Sequence, residues 1–359
     1  MTVNEYLLDE PADIEAADPG GMVREVAAAP ALFRAAMTAA YEADLGRVSA
    51  EGRPRAVVVT GMGGSGISGD VLAAVAGSAS PVPVVTHRGY GLPAWVGAAD
   101  VVVAVSCSGR TEETLNAAEE AVRRGVRIVT VGAADSPLAD LGARGRGPHV
   151  PVQPGGVPRA RLWSLAVPVL VLGDVLGICR APRPELDAAA DLLDVLTERY
   201  KPAKESFLNP AKDLALKYAD PLPVIWGTSP LAGVAAYRAA CQFNENADRP
   251  ATWGVLPEAN HNQVVPFDDP TAAERFRVLF LRDSDEHPSV ARRVEASQEL
   301  ARERGIGVDE VVAEGDGPTA RIASLIAVAD FATTYLALLL GVDPTAMAPI
   351  DQLKQRIAE

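Results

Sequence analysis

Four short runs in the first half of the chain leave few folds open: "VVVT" at 57–60, "PVPVVTH" at 81–87, "ADVVVAVS" at 99–106 and "VRIVTVG" at 126–132. A strand with one wet face alternates apolar and polar residues. These runs are instead rich in valine, with successive valines in the first three, so both of their faces must be covered, and helical stretches follow the first and the third. The spacing predicts helices over 67–77 and 111–125, a further strand in "HVPVQPGG" and a long helix from about 160. Short Val-rich strands alternating with helices make a parallel sheet with helices on both faces.

A second series begins near residue 205, after the charged helical stretch "RPELDAAADLLDVLTERYK", which is bounded by Pro182, Pro184 and Pro202. It reads helix "PAKDLALKYA", strand "LPVIWGT", helix 230–244, strand "RFRVLFLRD", helix 288–304, strand "VDEVVAEG" and helix 319–340. The two series read as diverged copies of one flavodoxin-like unit, the second without the glycines of the first. The expected organisation is an N-terminal helical or extended segment at 1–50, a first domain at 51–180, a helical linker at 181–204, and a second domain with a C-terminal helix at 205–359.

The 359 residues are 48% hydrophobic, enough for two substantial cores. With 47 acidic against 33 basic residues the formal charge is −14, which disfavours nucleic acid and anionic membrane as partners. A small anionic ligand then needs a locally positive or N–H-lined pocket. The N-terminus is acidic and has no secretory pattern, and the scattered Cys107, Cys179 and Cys241 suit a reducing compartment, so a cytoplasmic protein without structural zinc is expected. The two longest apolar segments are interrupted by Asp174 and Asp330 and read as core helices.

Gly61, Gly63 and Gly66 stand in G-x-G-x-x-G spacing between the first run and a helical segment. Such glycines let the backbone turn sharply and present N–H groups to an anion at the helix N-terminus, with Gly63, Gly64 and Ser65 at the turn. A dinucleotide site also needs an acidic residue at the end of the next strand. That strand ends in Thr86, His87 and Arg88, which argues against NAD. The third strand supplies the better ligand. It runs into "SCSGRTEETL", where Ser106, Ser108, Thr111 and Thr114 cluster at a strand-to-helix turn and read as a cup for a phosphate monoester. Ordinary capping accounts for Thr111 with Glu112 and Glu113, but does not require Ser106 and Ser108.

Through "GMGGSGISGD" and "SCSGRTEET", the first half resembles the sugar isomerase (SIS) domain. With "GGVPRA", "FNENADRPATWGVLPEANHNQ" and "IDQLK" added, the chain from about residue 50 onward resembles the bifunctional phosphoglucose/phosphomannose isomerase family. The fold this implies is α/β: two flavodoxin-like SIS domains, each a mostly parallel sheet with helices on both faces. The activity it implies is aldose–ketose isomerisation of glucose 6-phosphate and mannose 6-phosphate with fructose 6-phosphate. That chemistry requires a carboxylate base, a ring-opening acid/base and positive charge near the enediolate oxygens, and no cofactor.

Glu245, at the end of an apolar helix, is the candidate base, and the resemblance gives it the proton shuttle between the two carbons. His261, in "LPEANHNQ", lies in a segment without helical period; an imidazole can take and give a proton at neutral pH, and the family assigns it ring opening. His87, His149 and His287 read as ordinary hydrogen-bonded histidines, and Glu258 either orients the His261 loop or is structural. Arg159 and Lys354 match the family's Arg and Lys positions and are the candidate positive charges. The family also implies a homodimer with a shared site, His261 coming from the neighbouring chain. Three departures stand out: Arg110 where Asn or Thr is usual, "ENAD" with Asp248 in place of "ENSK" or "ENAK", and "NHNQ" in place of "NHNE". The alternative reading is a non-catalytic sugar-phosphate-binding regulator that keeps the cup without the base.

Overall fold

The computed structural model describes residues 5–358. They form two compact units, each assembled from separate stretches of chain: one from 28–194 with 314–323, the other from 5–27 with 195–313 and 324–358.

The first unit is built on five parallel strands in the order β2-β1-β3-β4-β5. They are β1 (Val57–Thr60), β2 (Val84–His87), β3 (Val101–Ser106), β4 (Arg127–Ala133) and β5 (His149–Val152). β1 and β3 are buried at every position, as their unbroken apolar runs require. Val57 pairs with Val101 and Thr60 with Ala104 across them. One face of the sheet packs Val58, Val102, Ala104 and Ile128 against Ala117, Ala118 and Ala121 of the helix Glu112–Arg123 and against Leu138 and Leu141. The other receives the helices Gly64–Ala76 and Leu162–Val175, the second of which packs against the helix Ala29–Glu42 through Phe33 and Trp163, ring centroids 5.4 Å apart. Each valine so enclosed contributes roughly 1.5–3 kcal/mol by leaving water.

The second unit holds four parallel strands in the order β7-β6-β8-β9. They are β6 (Leu222–Gly227), β7 (Thr252–Val255), β8 (Phe276–Arg282) and β9 (Gly307–Val312). This order repeats β2-β1-β3-β4. β7 escapes a reading of periodicity because "TWGV" is short, and both Thr252 and Trp253 are exposed. Trp226, Phe267 and Phe280 centre this core, with Trp226 stacked on Phe267 at 5.8 Å and edge-on to Phe280 at 5.5 Å.

Both long apolar segments are core helices. Leu162–Val175 is almost wholly buried, and the most apolar stretch of Pro318–Leu339 is 94% buried within the protein. Asp330 is accommodated by a two-pronged ion pair with Arg238, whose Nε and Nη2 both donate at 3.2 Å. Burial still pushes the Asp330 carboxyl above its usual range, against the pull of Arg238 and Gln242. Lys212 is also fully buried; its ammonium donates to the carbonyls of Leu8, Pro202 and Lys204, and burial lowers its pKa to about 8.

Candidate active site

At the carboxyl edge of the first sheet, β1 runs into the helix Gly64–Ala76 through Gly61, Met62 and Gly63. Gly63 has φ +52°, a conformation that L side chains adopt only with strain. At Gly61 a Cβ would lie 2.9 Å from the carbonyl oxygen of Val105, so the close approach of loop and β3 needs its missing side chain. The helix begins with no side-chain cap, and Ser65 in its first turn is buried.

β3 ends at Ser106, which is fully buried. Its Oγ lies 2.8 Å from Thr111 Oγ1, and it also accepts from the Thr111 N–H at 3.4 Å. Thr111 occupies the N-cap of the helix Glu112–Arg123, yet its side chain makes no capping bond; the hydroxyl turns to Ser106 instead. Ordinary capping therefore does not account for Thr111. Ser106 shapes the loop, while Ser108 is exposed with its Oγ accepting from the Arg110 N–H at 3.2 Å. Thr114, fully buried in the first helical turn, has a hydroxyl without a hydrogen-bond partner among the described residues. Two helices thus begin side by side with uncapped N–H groups and hydroxyls around them, an arrangement suited to a dianionic phosphate.

The sequence singles out Arg159, which is buried on the short 3₁₀ turn Pro158–Arg161. Arg161 on the same turn stands outside the sequence motifs, although its charge works to lower the Cys107 thiol that burial raises. Arg88 also reaches this region. It pairs with Asp70, and its Nε lies 2.9 Å from where a Cβ on Gly66 would stand. Neither arginine belongs to a motif; only the parallel pairing of β2 with β1 brings Arg88 to the loop.

The remaining candidates belong to the second unit. Glu245 is half-buried on the last turn of the helix Pro230–Ala247. That turn is held on both sides: Asn246 Nδ2 donates to Thr333 Oγ1 at 3.0 Å, and the Arg249 guanidinium donates to the Ala219 carbonyl. Asp248 has a physical account too. It is the left-handed residue that ends the helix, at φ +50°, with its side chain exposed and the following Arg249 N–H returning to Phe243 O at 3.0 Å.

His261 corrects the sequence reading. It lies in a short helix, Ala259–Asn262, and is exposed. A single turn is too brief to show a period, and tertiary bonds hold it. Gln263 accepts from Trp226 Nε1 at 2.6 Å and donates to the Trp253 carbonyl at 3.2 Å, while Asn260 Nδ2 donates to Ser297 Oγ at 2.8 Å. Gln in "NHNQ" thus supplies an acceptor and a donor, where a carboxylate would supply only acceptors. Lys354 is exposed on the terminal helix Ala348–Ala358. Of the other histidines, His149 is half-buried with Nδ1 2.9 Å from Thr130 Oγ1, and His287 caps the helix Pro288–Glu303. No group of three or more His, Cys, Asp or Glu residues stands ready to hold a metal ion among the described residues.

Comparison with known proteins agrees with this architecture. Residues 53–144 match the SIS domain, and residues 207–357 match the bacterial phospho-glucose isomerase C-terminal SIS domain. The bifunctional phosphoglucose/phosphomannose isomerase of Caldicellulosiruptor bescii is 34% identical over 304 residues, covering 84% of this chain and 89% of that protein. Its namesake from Thermoplasma acidophilum is 33% identical over 304 residues with the same coverage. Among solved structures, the C-terminal domain of glucosamine-fructose-6-phosphate aminotransferase from Francisella tularensis superposes with a TM-score of 0.67 at 14% identity, over 90% of this chain and 98% of that one, a likeness of fold alone. By identity and coverage, the chain belongs to the bifunctional phosphoglucose/phosphomannose isomerase family.

Proposed function

We propose that this protein interconverts glucose 6-phosphate and mannose 6-phosphate with fructose 6-phosphate. The observation that carries the proposal is the pair of uncapped helix N-termini in the first unit, Thr111 having turned its hydroxyl to Ser106 instead of capping. The substrate's phosphate oxygens accept from the N–H groups at Gly63 and Gly64 and from the hydroxyls of Ser65, Ser108 and Thr111.

With the phosphate anchored, the chemistry is a proton transfer between adjacent carbons. His261 opens the pyranose ring by moving a proton from the anomeric hydroxyl to the ring oxygen. The Glu245 carboxylate then takes the proton from C2, and the C–H electron pair becomes the C1–C2 double bond of an enediolate. Positive charge from Arg159 and Lys354 stabilises its oxygens. The carbonyl oxygen O1 carries the enediolate charge and takes up the hydroxyl proton of O2, so return of the carbon-bound proton to C1 leaves a hydroxyl on C1 and the carbonyl at C2. A base that reaches C2 from either side serves both aldoses.

The exposure of His261 on one chain supports its use in a neighbouring copy, and hence a homodimer with shared sites. The three free, scattered cysteines support a cytoplasmic setting.

Enolisation has no substitute for its base, whereas ring opening proceeds slowly in water. Glu245→Gln should therefore nearly abolish turnover of both aldose phosphates, while His261→Ala keeps residual activity that an open-chain analogue partly restores. Mixed Glu245→Gln and His261→Ala protein should regain activity, since a mixed dimer holds one site with both native residues. Near-normal turnover by Glu245→Gln would remove it as the base, and verified mixed dimers that regain nothing would remove the shared site. Binding of sugar phosphate without turnover by the native protein would make it a regulator.

A further inference from the structure

At the opposite edge of the first sheet, where the strands begin, the charge balance of the chain is reversed. Two neighbouring cavities open there, of about 500 and 400 Å³. Arg53, Arg55 and Arg127 line the first; Arg47, Arg144 and Arg146 join Arg127 around the second; Glu51 is the one acidic residue on either wall. In a chain of net charge −14, six arginines against one glutamate is a local inversion of sign.

Not every one of these charges is available. Arg55 is neutralised by the buried Asp100, and Arg144 suits the C-terminal turn of its own helix, Pro137–Arg144. Arg127 is different. Its side chain is only 10% exposed, and its Nη1 donates to the carbonyls of Val48 at 3.1 Å and Gly52 at 2.8 Å. Its buried Nε has no hydrogen-bond partner among the described residues, the Glu51 carboxylate standing 3.9 Å away. Arg53 and Arg146 flank it from the two cavities, and neither has an ion-pair partner among the described residues. Arg146 also holds φ +55° between Gly145 and Gly147, a left-handed conformation that glycine would adopt without strain. Backbone economy does not explain an arginine there.

We propose that this cleft is a second anion site, distinct from the phosphate cup, that takes a small molecule carrying two phosphate groups. Arg127 lies at the middle, and Arg53 and Arg146 provide one free guanidinium on either side, so a diphosphate or bisphosphate spans the charges better than a monophosphate. The cavity volumes suit a metabolite. The strong negative charge of the rest of the chain favours a compact ligand over a nucleic acid.

The test is calorimetric titration of the full chain with inorganic pyrophosphate at low salt, in a Ser108→Ala/Thr111→Ala background that removes the cup's contribution. Pyrophosphate should still bind, more tightly than orthophosphate, and adding Arg53→Glu with Arg146→Glu should weaken it at least tenfold. Arg53→Gln with Arg146→Gly relieves the left-handed backbone while removing the same two charges, so it should lose binding without losing stability. The absence of saturable binding in the cup-deficient protein, or binding that both arginine variants leave unchanged, overturns the proposal.

Discussion

In the first unit the helices that follow β1 and β3 begin at Gly63 and Thr111 without a side-chain cap. In the second unit the helices that follow β6 and β8 begin at Ser229, whose hydroxyl accepts from the Ala232 N–H, and at His287, whose Nδ1 accepts from the Ser289 N–H. One residue past β8, the place Cys107 has after β3, stands the buried carboxylate of Asp283. Ser229 Oγ donates to it at 2.8 Å, the Asp285 N–H donates to it at 3.2 Å, and its own N–H donates to Thr228 Oγ1 at 2.9 Å. The same strand order therefore carries two opposite edges. In one, the helix N-termini have no side-chain cap; in the other, the chain supplies the caps itself, with a carboxylate among the partners. Duplication of a fold does not duplicate its site, and the local bonding of the first helical turn tells the copies apart.

Three experiments press on that contrast. The largest effect is expected from Ser108→Ala with Thr111→Ala, which removes two donors each worth about 1.5–3 kcal/mol toward a charged acceptor. KM for glucose 6-phosphate should rise on the order of a hundredfold or more, with a small loss of stability, about 1 kcal/mol, because the buried Ser106 hydroxyl loses its bond to Thr111 Oγ1; an unchanged KM would show that the phosphate does not use this edge. Asp283→Ala should cost stability alone. It strands the Ser229 hydroxyl and the Asp285 N–H, and stability measured by urea denaturation should fall by about 1–3 kcal/mol, while KM holds. If KM rose instead, the second edge would also be touching substrate. Ser229→Ala should have the smallest effect, about 1 kcal/mol from the lost cap, and combined with Asp283→Ala the losses should sum to less than the two separately, because each removes the same bond. Full additivity would mean that Ser229 and Asp283 act independently.

The contrast also marks how far the sequence could be read. "VVVT" and "VVVAVS" announce buried parallel strands because no other setting covers valine on both faces, and Gly61 and Gly63 announce a tight turn because of what they lack. Glu245 was visible at the end of an apolar helix, although the bonds that fix its turn, from Asn246 to Thr333 and from Arg249 to the Ala219 carbonyl, span 87 and 30 residues of sequence. No local pattern marks Arg88 or Arg161 as neighbours of the glycine loop and the hydroxyl cluster. β7 and the single turn around His261 are too short to show a period.

Local chemistry along the chain determined the α/β class, the two series of strands, the glycine loop and the hydroxyl cluster, because period and steric allowance act over a few neighbouring residues. Only the tertiary structure decided which hydroxyl caps and which does not. Thr111 reads as an ordinary N-cap until the end of β3 brings Ser106 within 2.8 Å of it, and Asp283 reads as a loop carboxylate until Ser229, 54 residues earlier, donates to it. The partition into units was settled in the same way. The segment up to residue 27 belongs with the second sheet, through bonds such as that from the buried Lys212 to the Leu8 carbonyl. A contact between residues far apart in sequence leaves no trace in the periodicity of either.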